Sequence, residues 1–86
     1  MSEIKIYTTK FCPYCFRAKG LLNEKGMKFE EIDVSHDDQK RAKMAKLSGS
    51  YTVPQIFFGD QYIGDCDGIF MLEAEGALDM KLKGLA

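Results

Sequence analysis

The sequence predicts an α/β protein, a small four-stranded mixed sheet with helices on both faces. Three observations carry this. Strand-like and helix-like stretches follow one another as strand, helix, strand, helix, strand, strand, helix. The stretch joining the first two strands is itself helical, which makes those strands parallel. A Gly59-Asp60 pair separates the last two, which reads as a two-residue hairpin and makes them antiparallel. At 86 residues the chain is expected to form one domain, 1–86, near the lower size at which a core forms without cross-links.

The first strand is "EIKIYT" (3–8), where Ile4 and Ile6 alternate with Lys5 and Tyr7. A helix is expected to start at Cys12. Pro13 suits its first position, where a missing N–H costs nothing. Phe16, Ala18, Leu21 and Leu22 form the apolar face, and Gly26 closes the helix with Lys25 in the last turn. "KFEEIDV" (28–34) is the second strand, with a shift of apolar phase between Phe29 and Ile32. Ser35 followed by Asp38 reads as a capping box for the second helix, which runs to Leu47 or Ser48 and stops at Gly49. Its apolar positions Met44, Ala45 and Leu47 are sparse, which places it on the surface of the sheet. "PQIFF" (54–58) and "QYIG" (61–64) are the last strands. The final helix is expected from about Asp67, its N-cap, and Gly76 is a candidate break before the tail "ALDMKLKGLA".

Composition excludes several classes. Twelve basic residues nearly balance thirteen acidic ones, with no basic run, so no nucleic-acid partner is expected. Apolar runs are only a few residues long, so no membrane span is expected. "MSEIKIYTT" lacks the apolar segment of a secretory signal. Cys12, Cys15 and Cys66 are the three cysteines, and an odd number in an unexported chain argues against a disulfide framework. The expected home is the reducing cytoplasm, where closely spaced cysteines bind metal or do redox chemistry.

The stretch "CPYC" (12–15) carries the chemistry. Residues three apart on a first helical turn face each other, so this pair can close and reopen a disulfide with little backbone movement. Cys12 falls at the helix cap, where free N–H groups favour an anion, and Lys10 and Arg17 add positive charge nearby. Cys15 lies one turn inward. Cys12 is therefore read as the nucleophile and Cys15 as the resolving thiol. A zinc site would need a second close pair, but Cys66 stands alone and His36 belongs to a capping segment. Pro54 in "TVP" (52–54) opens a strand, and from the residues alone an ordinary trans proline is the better reading. In "GDCDG" (64–68), plain capping accounts for Asp67, and Cys66 reads as a small core residue.

Together "CPYC" (12–15), "RAKGLL" (17–22), "TVPQIF" (52–57) and "IGDCDG" (63–68) resemble the glutaredoxins, most closely the small bacterial dithiol class. The resemblance spans nearly the whole chain. It implies a thioredoxin-like fold and a glutathione-dependent reduction of protein disulfides and glutathione mixed disulfides. Glutathione would be a co-substrate, with no cofactor permanently bound. It also implies a cis bond before Pro54. The backbone of Val53, beside Thr52, would pair with the cysteinyl unit of glutathione. Cys66 and Asp67 would hold the γ-glutamyl end, and Tyr14 would flank the bound sulfur. Lys10 and Arg41 are the candidates for the glycyl carboxylate. Partners implied are glutathione and disulfide-containing or glutathionylated proteins, with the chain a monomer. Three positions depart from the family pattern: Thr9 where a basic residue is usual, Asp65 where a second glycine is usual, and Gly68 where a second aspartate is common. Two other classes stay open at this point. One is a hydrogen donor reduced by a flavoprotein reductase. The other is a dimer bridged by an iron–sulfur cluster, which Pro13 disfavours by stiffening the helix start.

Overall fold

The computed structural model describes residues 4–83, the last two by backbone alone. Strand β1 (Ile4–Thr8) is followed by helix α1 (Pro13–Glu24), β2 (Glu30–Asp33), α2 (Asp38–Ser48), β3 (Gln55–Phe58), β4 (Gln61–Gly64), α3 (Cys66–Ala74) and α4 (Leu78–Lys83). The sheet order is β2-β1-β3-β4, with β1 and β2 parallel and the other neighbours antiparallel. Phe58 pairs with Gln61 across the two-residue Gly59-Asp60 turn, as expected.

Alternation along β1 and β3 divides the core in two. On one face Ile4, Ile6 and Ile56 pack with Ala18, Leu21 and Leu22 of α1, Cys66 and Ile69 of α3, and Leu78 of α4. On the other, Tyr7 and Phe57 meet Val34 and Met44, the one fully buried residue of α2. The sparse apolar pattern of α2 is thus the pattern of a helix resting on the sheet through a single stripe. The phase shift in the second strand has a cause as well: β2 lies at the sheet edge, shorter than expected, and only Ile32 is partly covered.

Two helix caps differ from expectation. The cap of α2 is Asp37, not Ser35: its carboxylate accepts from the Lys40 N–H at 3.0 Å. Ser35 instead accepts from the Lys10 N–H at 2.9 Å, tying the two loops at this end of the sheet. The cap of α3 is Asp65, not Asp67, accepting from the Gly68 N–H at 2.8 Å. Asp67 sits in the first turn, where its charge still suits the helix dipole. The position that requires glycine is Gly64, whose φ is 153° and whose missing Cβ would lie 3.4 Å from the Gly68 Cα, whereas Asp65 is extended at φ −94°. Beyond Gly76, the candidate break, the tail forms α4, which the sequence pattern leaves unassigned. Leu78 is fully buried, and Lys25 at the end of α1 bonds Glu73 at 2.7 Å and Asp79 at 3.0 Å. The expected strand start at residue 3 and the tail residues 84–86 lie outside the described residues.

Candidate active site

β1 ends at Thr8, and the chain turns through 9–11 to deliver Cys12 at the N-cap of α1. Cys12 is extended, and its Sγ accepts from the Cys15 N–H at 3.3 Å. The same N–H also lies 3.1 Å from the Cys12 carbonyl, so the sulfur shares a first-turn donor, and that bond is strongest when the sulfur is an anion. Pro13 follows at the first helical position. Cys12 is half-buried, while Cys15 is 1% exposed. Burial pushes the Cys15 thiol up to about 12, and its bond with the Cys12 side chain acts in the same direction. The two sulfurs therefore differ as the sequence suggests: one reachable at a helix cap, the other a protonated thiol beneath it.

The segment 50–54 forms the opposite wall. The Cys12 thiol lies 3.7 Å from the Val53 carbonyl, to which it donates. The Val53–Pro54 bond is cis, as the resemblance implies and against the reading from residues alone. Arg41 donates through Nε and Nη2 to the Tyr51 carbonyl, at 3.1 and 3.0 Å, fastening the segment to α2. Ser50 and Thr52 share a 2.7 Å hydroxyl bond. Buried Gln55 holds the Thr52 carbonyl from within at 2.9 Å.

The start of α3 completes the site. Tyr14, Thr52, Val53, Pro54, Cys66 and Asp67 line a cavity of about 260 Å³, and Asp65 joins them. Six of the eight residues expected to bind the co-substrate therefore meet at one place. Lys10 and Arg41 are not among the lining residues. Cys66 is buried, and burial pushes its thiol up, with Arg17 opposing the shift. Phe11 (94% exposed) and Tyr14 (55%) stand beside Cys12 as uncovered rings. Among the described residues, no group of three or more His, Cys, Asp or Glu side chains could hold a metal.

Two contributors were missed from the sequence, Asp65 and Gln55. Asp65, a departure from the glycine usual there, caps α3 and lines the cavity. The signal was present, since an aspartate three residues before an N–H-bearing Gly68 is itself a capping pattern. Gln55 carried no such signal, because one polar residue at a strand start is unremarkable.

Comparison with known proteins agrees with this geometry. The family model described as Glutaredoxin matches residues 4–63. Glutaredoxin 3 of Escherichia coli is 49% identical over 83 residues, covering 96% of this chain and 100% of that protein. The solution structure of glutaredoxin from Brucella melitensis superposes with a TM-score of 0.85 at 47% identity, covering 100% of this chain and 95% of that one. A crystal structure of a buckwheat glutaredoxin–glutathione complex superposes with a TM-score of 0.88 at 27% identity, covering 96% and 78%. The match thus takes in the CPYC helix start, the TVP segment and the sheet between them, and the chain belongs to the glutaredoxins, glutathione-dependent thiol–disulfide oxidoreductases with a thioredoxin-like fold.

Proposed function

We propose that the chain reduces glutathione mixed disulfides and protein disulfides through the Cys12–Cys15 dithiol, with glutathione as co-substrate and no permanently bound cofactor. One observation carries the reading: a half-buried sulfur at a helix cap faces the Val53 backbone beside a cavity large enough for part of a tripeptide. The cysteinyl unit of glutathione lies along Val53 by main-chain hydrogen bonds. Its γ-glutamyl end reaches the start of α3, where Asp65 and Asp67 attract the α-ammonium. Lys10 and Arg41 remain the candidates for the glycyl carboxylate, from outside the cavity lining. The likeness to the buckwheat complex supports this placement.

With a glutathionylated protein, the Cys12 thiolate attacks the glutathione sulfur. A Cys12–glutathione disulfide forms, and the protein leaves as a thiolate that takes a proton. A second glutathione thiolate then attacks the glutathione sulfur of that adduct, releasing the Cys12 thiolate and oxidised glutathione. With a protein disulfide, Cys12 forms a mixed disulfide and frees one protein thiol. Cys15 must then lose its proton and attack Cys12 Sγ, releasing the second protein thiol. Two of the influences that keep Cys15 protonated, its bond with Cys12 and the charge of Cys12, vanish once Cys12 is bonded to substrate. The adduct itself thereby eases ionisation of the resolving thiol. Two glutathione molecules return the Cys12–Cys15 disulfide to the dithiol.

The proposed partners are glutathione and disulfide-containing or glutathionylated proteins of the cytoplasm, with the chain acting as a monomer. A turnover assay coupled to glutathione oxidation, on the mixed disulfide of glutathione and 2-mercaptoethanol, tests the reading. Saturable turnover that Cys12→Ser removes is expected. Turnover no greater than that of Cys12→Ser, or faster reduction by a flavoprotein reductase than by glutathione, would overturn it.

A further inference from the structure

The geometry points to Gln55 and Tyr62 as positioning residues that aim the Val53 N–H at the co-substrate. The Tyr62 hydroxyl lies 2.6 Å from Gln55 Oε1, and Gln55 Nε2 lies 2.9 Å from the Thr52 carbonyl and 3.2 Å from Thr52 Oγ1. Gln55 is fully buried. The direction of this chain of bonds follows from chemistry. A carbonyl oxygen can only accept, so the Gln55 amide nitrogen must face Thr52. Its oxygen then faces Tyr62, and the Tyr62 hydroxyl must donate. Burial and the charge of Asp65 both push the Tyr62 hydroxyl up, which keeps that donor proton in place.

The consequence passes through one peptide plane. Thr52 C=O and Val53 N–H belong to the same trans peptide and point in opposite directions. Holding the carbonyl toward buried Gln55 turns the N–H away from it, toward the cavity that Thr52 and Val53 line. No described residue accepts a hydrogen bond from the Val53 N–H. Tyr62 is itself fixed by its ring, which packs against Phe57 with centroids 5.3 Å apart. The orientation of one backbone donor at the cavity wall is thus set by side chains on β3 and β4. The inference rests on the proposed docking of glutathione along Val53.

Tyr62→Phe removes the hydroxyl and keeps the ring on Phe57. Released from Tyr62, the Gln55 amide keeps only its bonds to Thr52 and holds the Thr52–Val53 peptide less firmly. The KM for the mixed disulfide of glutathione and 2-mercaptoethanol is expected to rise about five-fold, the worth of roughly one net hydrogen bond, with kcat within two-fold of the parent. The rate of Cys12 alkylation by iodoacetamide should not change. Gln55→Met removes both bonds at similar volume and should raise KM at least as far. Because the two residues act through one chain of bonds, the double variant should be no worse than Gln55→Met alone. In amide NMR spectra of the parent, glutathione should shift the Val53 cross-peak, and Tyr62→Phe should displace that peak before any ligand is added. A KM within two-fold of the parent in Tyr62→Phe, or an unmoved Val53 peak, overturns the inference and leaves the docking intact. A parent whose Val53 peak ignores saturating glutathione overturns the docking itself. If Gln55→Met fails to fold, Tyr62→Phe decides alone.

Discussion

Cys15 keeps its proton because burial, and then its bond with the Cys12 side chain, both disfavour an anion on its sulfur. Two expected outcomes follow for single side chains. Iodoacetamide at pH 7 should alkylate Cys12 faster than Cys15 by roughly a hundredfold or more, since only the thiolate reacts and Cys15 is also covered. Peptide mass mapping against time reads this directly, and equal rates would remove the division of labour. Cys12→Ser should abolish every activity. Cys15→Ser should keep removal of glutathione from a glutathionylated protein, because a second glutathione resolves that adduct, and should lose most reduction of an intramolecular protein disulfide. Assays on the two substrate types side by side check it. The placement of Cys12 at the helix cap with Cys15 buried one turn inward was legible in the sequence, because spacing and a helix start determine it. Gln55 was not, because its partners Thr52 and Tyr62 lie on a loop and on the next strand, and only the hairpin brings them together.

The helix starts show where local sequence leaves a choice. Asp65 and Asp67 both suit an N-cap, and Asp65 is chosen because the chain leaves Gly64 extended at that residue. The same ambiguity between Ser35 and Asp37 is resolved by Ser35 being drawn to the Lys10 N–H. Asp65→Ala should therefore cost about 1 kcal/mol of stability, the usual worth of a lost cap, while Asp67→Ala should cost clearly less. Urea unfolding of the two variants under reducing conditions compares them. Equal losses would mean that the cap is shared. The strands, the α1 start and the α2 stop at Gly49, which is left-handed at φ 80°, could all be read from pattern and turn residues. Helix α4 could not. Among its described side chains, buried Leu78 and the bond of Lys25 to Asp79 hold it in place, and neither leaves a periodic trace in so short a segment.

For the molecule as a whole, the titrating groups define a pH window. Cys15, Cys66, Tyr62 and Lys25 all have folded values raised above the ordinary ones. A raised value means that the folded state holds its proton longer than the unfolded state. Stability from these groups is complete below their ordinary values and is lost as pH rises toward the folded ones. For Cys15 that loss runs from its ordinary 9.0 to about 12. On the acid side, burial works against the charge of Glu31, but bonds from Lys19 and Thr8 overcome it and hold the carboxyl below its ordinary value. Bonds from Ser35 do the same for Asp33. Stability from these two is complete above their ordinary values and is lost as pH falls. The reduced protein should thus show a plateau between about pH 5 and 9, with losses on both sides. Urea midpoints across pH measure it. In Cys15→Ser the alkaline loss should be shallower than in the parent, and an identical alkaline limb would remove Cys15 from the account.

The covered position of Cys15 under a reachable Cys12 also bears on survival under peroxide. An oxidant that reaches the surface sulfur makes a sulfenic acid there, with a thiol already held one turn below it. Condensation of the two expels water and leaves the same internal disulfide that the reductive cycle already opens. The damage is thereby converted into a normal intermediate before a second oxygen can add. Intact mass after graded hydrogen peroxide should show the parent two hydrogens lighter, while Cys15→Ser goes on to gain two or more oxygen atoms at Cys12, the sulfinic or sulfonic level that glutathione does not reverse, and stays inactive when glutathione is added. Recovery of Cys15→Ser equal to that of the parent would show that the buried thiol gives no such protection.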